Sequence, residues 1–188
     1  MTGSTLIAGI GNIFLSDDGF GVAVAQRLAT VPLPDGVRVV DYGIRGMHLA
    51  HDLASGVGTA ILVDASPRGE PPGTVYVIEP DLEPATAPGD GLAADEGDLP
   101  VSPLLDAHGM QPDIVLSMLH VLDGDRPDRI LVVGCEPAST DYGMTLSEPV
   151  AAAVEEAVMV VLALVGAGDG AAMNETAGSA RPGQATEG

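Results

Sequence analysis

Short apolar runs, each closed by glycine or a turn-forming residue, alternate along the chain with stretches whose apolar positions recur at helical spacing. Thr5 to Ile10 (TLIAGI) is the first run and ends in Gly-Ile-Gly-Asn; Val22, Ala25 and Leu28 then follow at three-residue intervals within Gly19 to Leu28. This predicts a strand, a glycine turn and a helix. Val37 to Tyr42 (VRVVDY), bounded by Pro-Asp-Gly and Gly43, predicts a second strand, and Gly46 to Leu53 a second helix. Thr59 to Val63 (TAILV) runs into Asp64, and Thr74 to Ile78 (TVYVI) follows Pro-Pro-Gly, giving strands three and four. The connection between them is shorter than a helical crossover between parallel strands needs. Strand four is therefore predicted to run antiparallel to strand three, and the sheet to be mixed.

Pro80 to Pro103 is acidic, rich in Pro, Gly and Ala and without a period, as expected of a long surface loop. Pro112 suits the first turn of a helix reaching about Leu122, Arg129 to Gly134 (RILVVG) reads as the fifth strand, and Ser147 as the cap of a final helix ending near Val165. From Gly166 the composition falls to Gly, Ala and small polar residues. A single domain over 1–165 with a disordered tail over 166–188 is expected. Strands alternating with helices predict an α/β fold, a three-layer α/β/α sandwich on a five-stranded mixed, mostly parallel sheet, with ligands at the carboxyl ends of the strands.

Composition narrows the function. Lys and Arg number 7 against 27 Asp and Glu, a net charge of −20, which disfavours nucleic acid and anionic membrane surfaces because both need clustered cations. The only cysteine, Cys135, excludes an intramolecular disulfide and any site with two cysteine ligands, and fits a reducing compartment. The amino-terminal residues lack a basic leader, and the longest apolar run, Ala157 to Ala167, is too short to span a bilayer. A soluble cytoplasmic protein is expected. Aromatic residues make up 3%, so the core must be built from Val, Leu, Ile and Ala, as under a parallel sheet.

Asp18, Asp64 and His108 each fall at or near the carboxyl end of an element. Together they form an O,O,N donor set that a divalent ion such as Ni²⁺ or Zn²⁺ accepts while keeping positions open. Each also has a plain structural role open to it: Asp17 and Asp18 as acids in a first helical turn, Asp64 as the start of an Asx turn, His108 as a loop residue. Gly9-Ile-Gly11 matches only part of the dinucleotide fingerprint, since Phe14 stands at the third glycine position. His48, His51 and Asp52 suit a solvated helix face better than a metal site. Cys135 has no base near it in sequence, and no Gly-x-Ser-x-Gly elbow exists.

The stretch Gly9 to Gly21, GIGNIFLSDDGFG, resembles the amino-terminal signature of the hydrogenase maturation proteases. Asp41 to Gly46 (DYGIRG) is similar to that family's Asp-Gly-Gly-Thr-x-Gly segment, with Tyr42 and Ile44 as departures. Asp64-Ala65 with Pro72-Gly73-Thr74, Ala107-His108-Gly109-Met110, and Val132-Val133-Gly134 with Gly143 to Ser147 resemble its remaining motifs, in order, over roughly Leu6 to Leu164. The resemblance implies an endopeptidase that removes the carboxyl-terminal extension of a [NiFe] hydrogenase large-subunit precursor. It places the catalytic and metal-binding roles on Asp18, Asp64 and His108 and substrate handling on Asp41. It makes nickel, supplied within the precursor, the recognition tag; separately from the resemblance, a monomer is expected. A non-catalytic nickel-handling or docking module, and a small-molecule hydrolase of the same architecture, are the alternatives.

Overall fold

Alternation along the first strand decides which side of the sheet each helix covers. Leu6, Ala8 and Ile10 point to one face and Ile7 to the other, and all four are buried, so the strand has to be covered on both sides. The computed structural model describes residues 4–80 and 125–174, with side chains up to residue 166. In it β1 (Thr5–Ile10) leads through a 3-10 turn (Ser16–Gly19) into α1 (Phe20–Leu28). Then come β2 (Val37–Gly43), α2 (Gly46–Leu53), β3 (Thr59–Ala65), β4 (Val75–Ile78), β5 (Arg129–Cys135) and a last helix, α3 (Glu148–Asn174). The five strands form one sheet in the order β2-β1-β3-β5-β4, parallel except for β4.

One face of the sheet carries α1 and α3 over Ile7, Ile61, Val63, Leu131 and Val133, with Phe20 and Leu28 of α1 fully enclosed. Burying a ring such as that of Phe20 stabilises the fold by about 2–3 kcal/mol. The other face carries α2, whose Leu49 and Leu53 pack on Leu6, Ile10, Leu62 and Ile130. The three-layer architecture is as the alternating pattern predicts. β4 does run antiparallel to β3, but β5 lies between them and is its hydrogen-bonded neighbour. The predicted helix from Pro112 and the 80–103 loop lie outside the described residues.

Two expectations change at the carboxyl end. α3 stays helical to Asn174, so the compositional break at Gly166 follows the last buried side chain described, Val165, rather than the end of the helix. Uninterrupted apolar length also understated this helix. Glu148–Gly166 is by length and composition long and apolar enough to cross a membrane, yet its Val150, Ala153, Ala157, Val158, Val161 and Val165 side is seated on the sheet.

α1 approaches the sheet closely because glycine allows it. A Cβ on Gly21 would stand 2.1 Å from the Val63 carbonyl oxygen and 2.3 Å from that of Ile10, well inside van der Waals contact. Gly21, with Gly9 facing it across the contact, thus serves helix–strand packing. It draws the start of α1, and the turn before it, onto the carboxyl ends of β1 and β3.

Candidate active site

The loop from β1 to α1 is closed by its own polar groups. Asn12 Oδ1 accepts the N–H of Phe14 at 3.0 Å, the Asn12 carbonyl accepts that of Leu15 at 3.0 Å, and the Leu15 carbonyl accepts that of Asp18 at 3.1 Å. Asp18 returns the contact: its Oδ2 takes the Asn12 N–H at 2.6 Å, a charge-assisted bond that aims the carboxylate back toward the end of β1. Gly11, at φ +127°, makes the closure possible, since a Cβ there would lie 1.8 Å from the Asp18 carbonyl oxygen.

Asp17, next in the chain, turns away and does something else. It is fully buried. Its Oδ2 accepts the N–H groups of Ala138 and Ser139 at 2.8 and 3.1 Å and the Ser147 hydroxyl at 2.9 Å, while Oδ1 accepts the Ser147 N–H at 2.6 Å. Burial works against the charge, but these donors outweigh it and hold the carboxyl below its ordinary range. Asp17 does lie in a first turn, that of the 3-10 segment, but its hydrogen bonds go to the loop before α3. Ser147 likewise gives its hydroxyl to Asp17, although its carbonyl accepts the Ala151 N–H at 2.8 Å as an N-cap residue's does. The two loops are stitched further by Ser16 N–H to the Gly143 carbonyl and Gly143 N–H to the Phe14 carbonyl, at 2.9 and 3.0 Å. Ser16 holds a positive φ of 49°, a strained backbone for a residue with a Cβ.

Asp64 lies in the last turn of the pleat of β3, opposite Gly134 of β5, with 2% of its surface exposed. Burial raises its carboxyl well above the usual range, and the negative charge of Asp18 raises it further. The two carboxylates predicted to converge are thus brought together at the carboxyl ends of β1 and β3. Such a pair can hold one proton between an acid and a base, or share a divalent cation that relieves its repulsion. Asp41 is elsewhere on the same edge. It is level with Val63 through Gly9, two strand spacings or about 10 Å away, and its Oδ2 accepts a bond from Gln26 Nε2 at 3.3 Å. His108 lies outside the described residues.

The other candidates are accounted for. His48 and His51 are exposed on α2, and Asp52 beside them takes the Tyr42 hydroxyl and Arg38 instead of a metal. Among the described residues no three His, Cys, Asp or Glu side chains form a metal cluster. Cys135 is buried beneath the sheet edge and its thiol is pushed up to about 12, first by burial and then by nearby carboxylates, which makes it a poor nucleophile. Sequence reasoning missed Glu136, nearly buried, whose carboxylate takes the N–H groups of Arg68 and Gly69 at 2.6 and 3.1 Å and fixes the segment after β3. Its only sequence signal is a charge placed directly after an apolar strand.

A sequence model of the hydrogenase maturation protease family matches residues 22–164. The chain belongs to that family. The hydrogenase expression/formation protein HupM of Azotobacter chroococcum is 34% identical over 170 residues, covering 88% of this chain and 74% of that protein. The hydrogenase 2 maturation protease of Escherichia coli is 31% identical, with 84% and 88% covered. Among solved structures, the hydrogenase maturating endopeptidase HybD from E. coli superposes with a TM-score of 0.65 at 27% identity, over 87% of this chain and 93% of the other. A hydrogenase 2 maturation peptidase from a Thaumarchaeota archaeon gives 0.62 at 30%, over 87% and 98%. The protein is accordingly a peptidase of hydrogenase maturation, on the mixed α/β sheet of that family.

Proposed function

We propose that this maturation protease hydrolyses one peptide bond near the carboxyl terminus of a [NiFe] hydrogenase large-subunit precursor, releasing the extension once nickel is in place. The observation that carries the reading is the pairing of Asp18 with the buried Asp64 at the carboxyl edge of the sheet. Two mutually repelling carboxylate oxygens are hard donors suited to a divalent ion, and His108 is proposed as the third. The nickel arrives as part of the substrate, and in contact with the site it supplies Lewis acidity toward the scissile carbonyl.

The residues of the chain do the rest. Asp18, held by the Asn12 N–H, accepts a proton from the attacking water. That proton passes on to the leaving amine, and the buried Asp64 is kept for the metal. Water is thereby divided across the C–N bond, leaving a carboxylate on the subunit and an amine on the released peptide. Asp41, two strands from Asp64 on the same edge, handles a more distant part of the substrate. A single buried cysteine and strong negative charge support action in the cytoplasm, away from membranes.

The test is incubation of the purified protease with the large-subunit precursor, nickel-loaded or nickel-free, followed by mass measurement. One carboxyl-terminal peptide released from the loaded precursor alone is the expected result. Equal cleavage of both would remove nickel from the reading, and no cleavage of either would overturn it.

A further inference from the structure

The large apolar side chains left exposed among the described residues are not spread over the surface. Apart from Val77 and Met159 they are Ile13, Phe14, Ile44, Tyr142 and Met144, on connections at the carboxyl ends of the strands, and Met47, in the first turn of α2. Phe14 is 56% exposed, Tyr142 88% and Met144 73%. The backbone pairing of Leu15 with Gly143 in parallel sense sets Phe14 alongside Tyr142, in the loops that Asp17 stitches together. The Gly11 N–H to Gly43 carbonyl bond, at 3.1 Å, joins the same loop to the connection bearing Ile44, which leads into the turn of α2 that bears Met47. The chain has two Phe and three Tyr in all, so two of its five Phe and Tyr rings are exposed on the paired loops that flank Asp18 in the chain and in the sheet bridge. Isolated exposed apolar residues need no explanation, but a set gathered around one site, on loops fixed by buried hydrogen bonds, marks an interaction surface.

We infer that this rim is the docking surface for the precursor itself, taking an apolar stretch of the precursor that flanks the bond to be cut, and the inference rests on the function proposed above. Continuity decides the occupant. Any protein that brings a peptide bond to Asp18 and Asp64 must cover the loop carrying Ile13 and Phe14 and its neighbour carrying Tyr142 and Met144. Asp18, Asp41 and Asp141 lie among these residues against one cation, Arg45, so the face is acidic on balance and favours an apolar surface with basic neighbours over an acidic one. The rim adds affinity at a distance from the reacting atoms, as a few aromatic anchors in an interface do.

The experiment measures cleavage of the nickel-loaded precursor by wild type, by Phe14→Ser and Tyr142→Ser singly and together, and by Val77→Ser and Met159→Ser. The double variant is expected to raise KM about tenfold or more while kcat at saturation stays near wild type, and the two distant variants to match wild type. Calorimetry should show a less negative heat-capacity change for precursor binding by the double variant. An unchanged KM in the double variant overturns the docking surface. So does an unchanged KM accompanied by a shift in sedimentation, which would make the rim a contact between copies of this chain. Failure of the wild type to cleave overturns instead the function on which the inference rests, and the inference with it.

Discussion

The carboxylate of Asp17 takes both the backbone N–H and the hydroxyl of Ser147, at 2.6 and 2.9 Å, from 130 residues further along the chain. With Ala138 and Ser139 also donating, this one side chain joins the turn that carries Asp18 to the loop that carries Tyr142 and to the first residues of α3. Asp17 is thus a positioning residue for its neighbour.

Asp17→Asn should destabilise the protein by about 2–4 kcal/mol at neutral pH, because the amide turns a donor toward buried donors and leaves them unmatched. The folded carboxyl lies below its unfolded value, so its contribution is present above the unfolded pKa of about 4 and is lost as pH falls through the folded value. Urea unfolding at pH 7 and in strong acid should therefore show a large gap between wild type and variant at pH 7 that narrows in acid.

Asp64→Asn should abolish cleavage and raise stability. Burial and Asp18 push the Asp64 carboxyl up on folding. Its favourable contribution is thus complete below the unfolded pKa and disappears as pH rises through the folded one. A neutral amide escapes that loss. A melting temperature at pH 8 raised by at least about 2 °C, with no peptide released, is expected; a lowered one would remove the strained-carboxylate account.

Gly21→Ala should cost about 3 kcal/mol or more, since the added Cβ meets two carbonyl oxygens at 2.1 and 2.3 Å and the backbone must move. Because that movement lifts the start of α1 off the sheet, cleavage at a temperature where the variant is still folded should fall as well. Denaturant midpoints and precursor cleavage measured together check both.

His108→Ala should leave the far-ultraviolet circular dichroism unchanged and abolish processing, as loss of one of three proposed ligands requires. Cys135→Ser, by contrast, should cost about 1–2 kcal/mol for a hydroxyl placed in an apolar site and still cleave. A folded but inactive Cys135→Ser protein would point to thiol chemistry.

The strands and the first two helices were legible because each buries its own short apolar period, and Thr5 to Ile10 and Gly46 to Leu53 have the bounds that the pattern predicts. The partner of β4 was not, because it is a strand more than fifty residues later. Convergence of Asp18 and Asp64 followed from the rule that parallel strands present their carboxyl ends together. The division of labour between Asp17 and Asp18 did not follow. Adjacent acids look alike in sequence, and only the N–H groups of 138–147 decide which one is buried. The same is true of Glu136, whose partners, Arg68 and Gly69, belong to a turn after another strand.

The place of β5 in the middle of the sheet sets a timetable for biosynthesis. Among the described residues β4 hydrogen-bonds in the sheet to β5 alone, and the donors to Asp17 come from residue 138 or later. While the ribosome is still making the segment before Arg129, β3 and β4 lack the described strand that lies between them, and the described donors that anchor the turn bearing Asp18 have not been made. Such early chains pair only β1, β2 and β3 and wait for the late strand, a non-local closure of the kind that slows folding. A nascent chain stalled before β5 should therefore be a non-cutting species that is readily attacked by cellular proteases, and peptidase activity should appear only once the strand that completes the sheet has emerged.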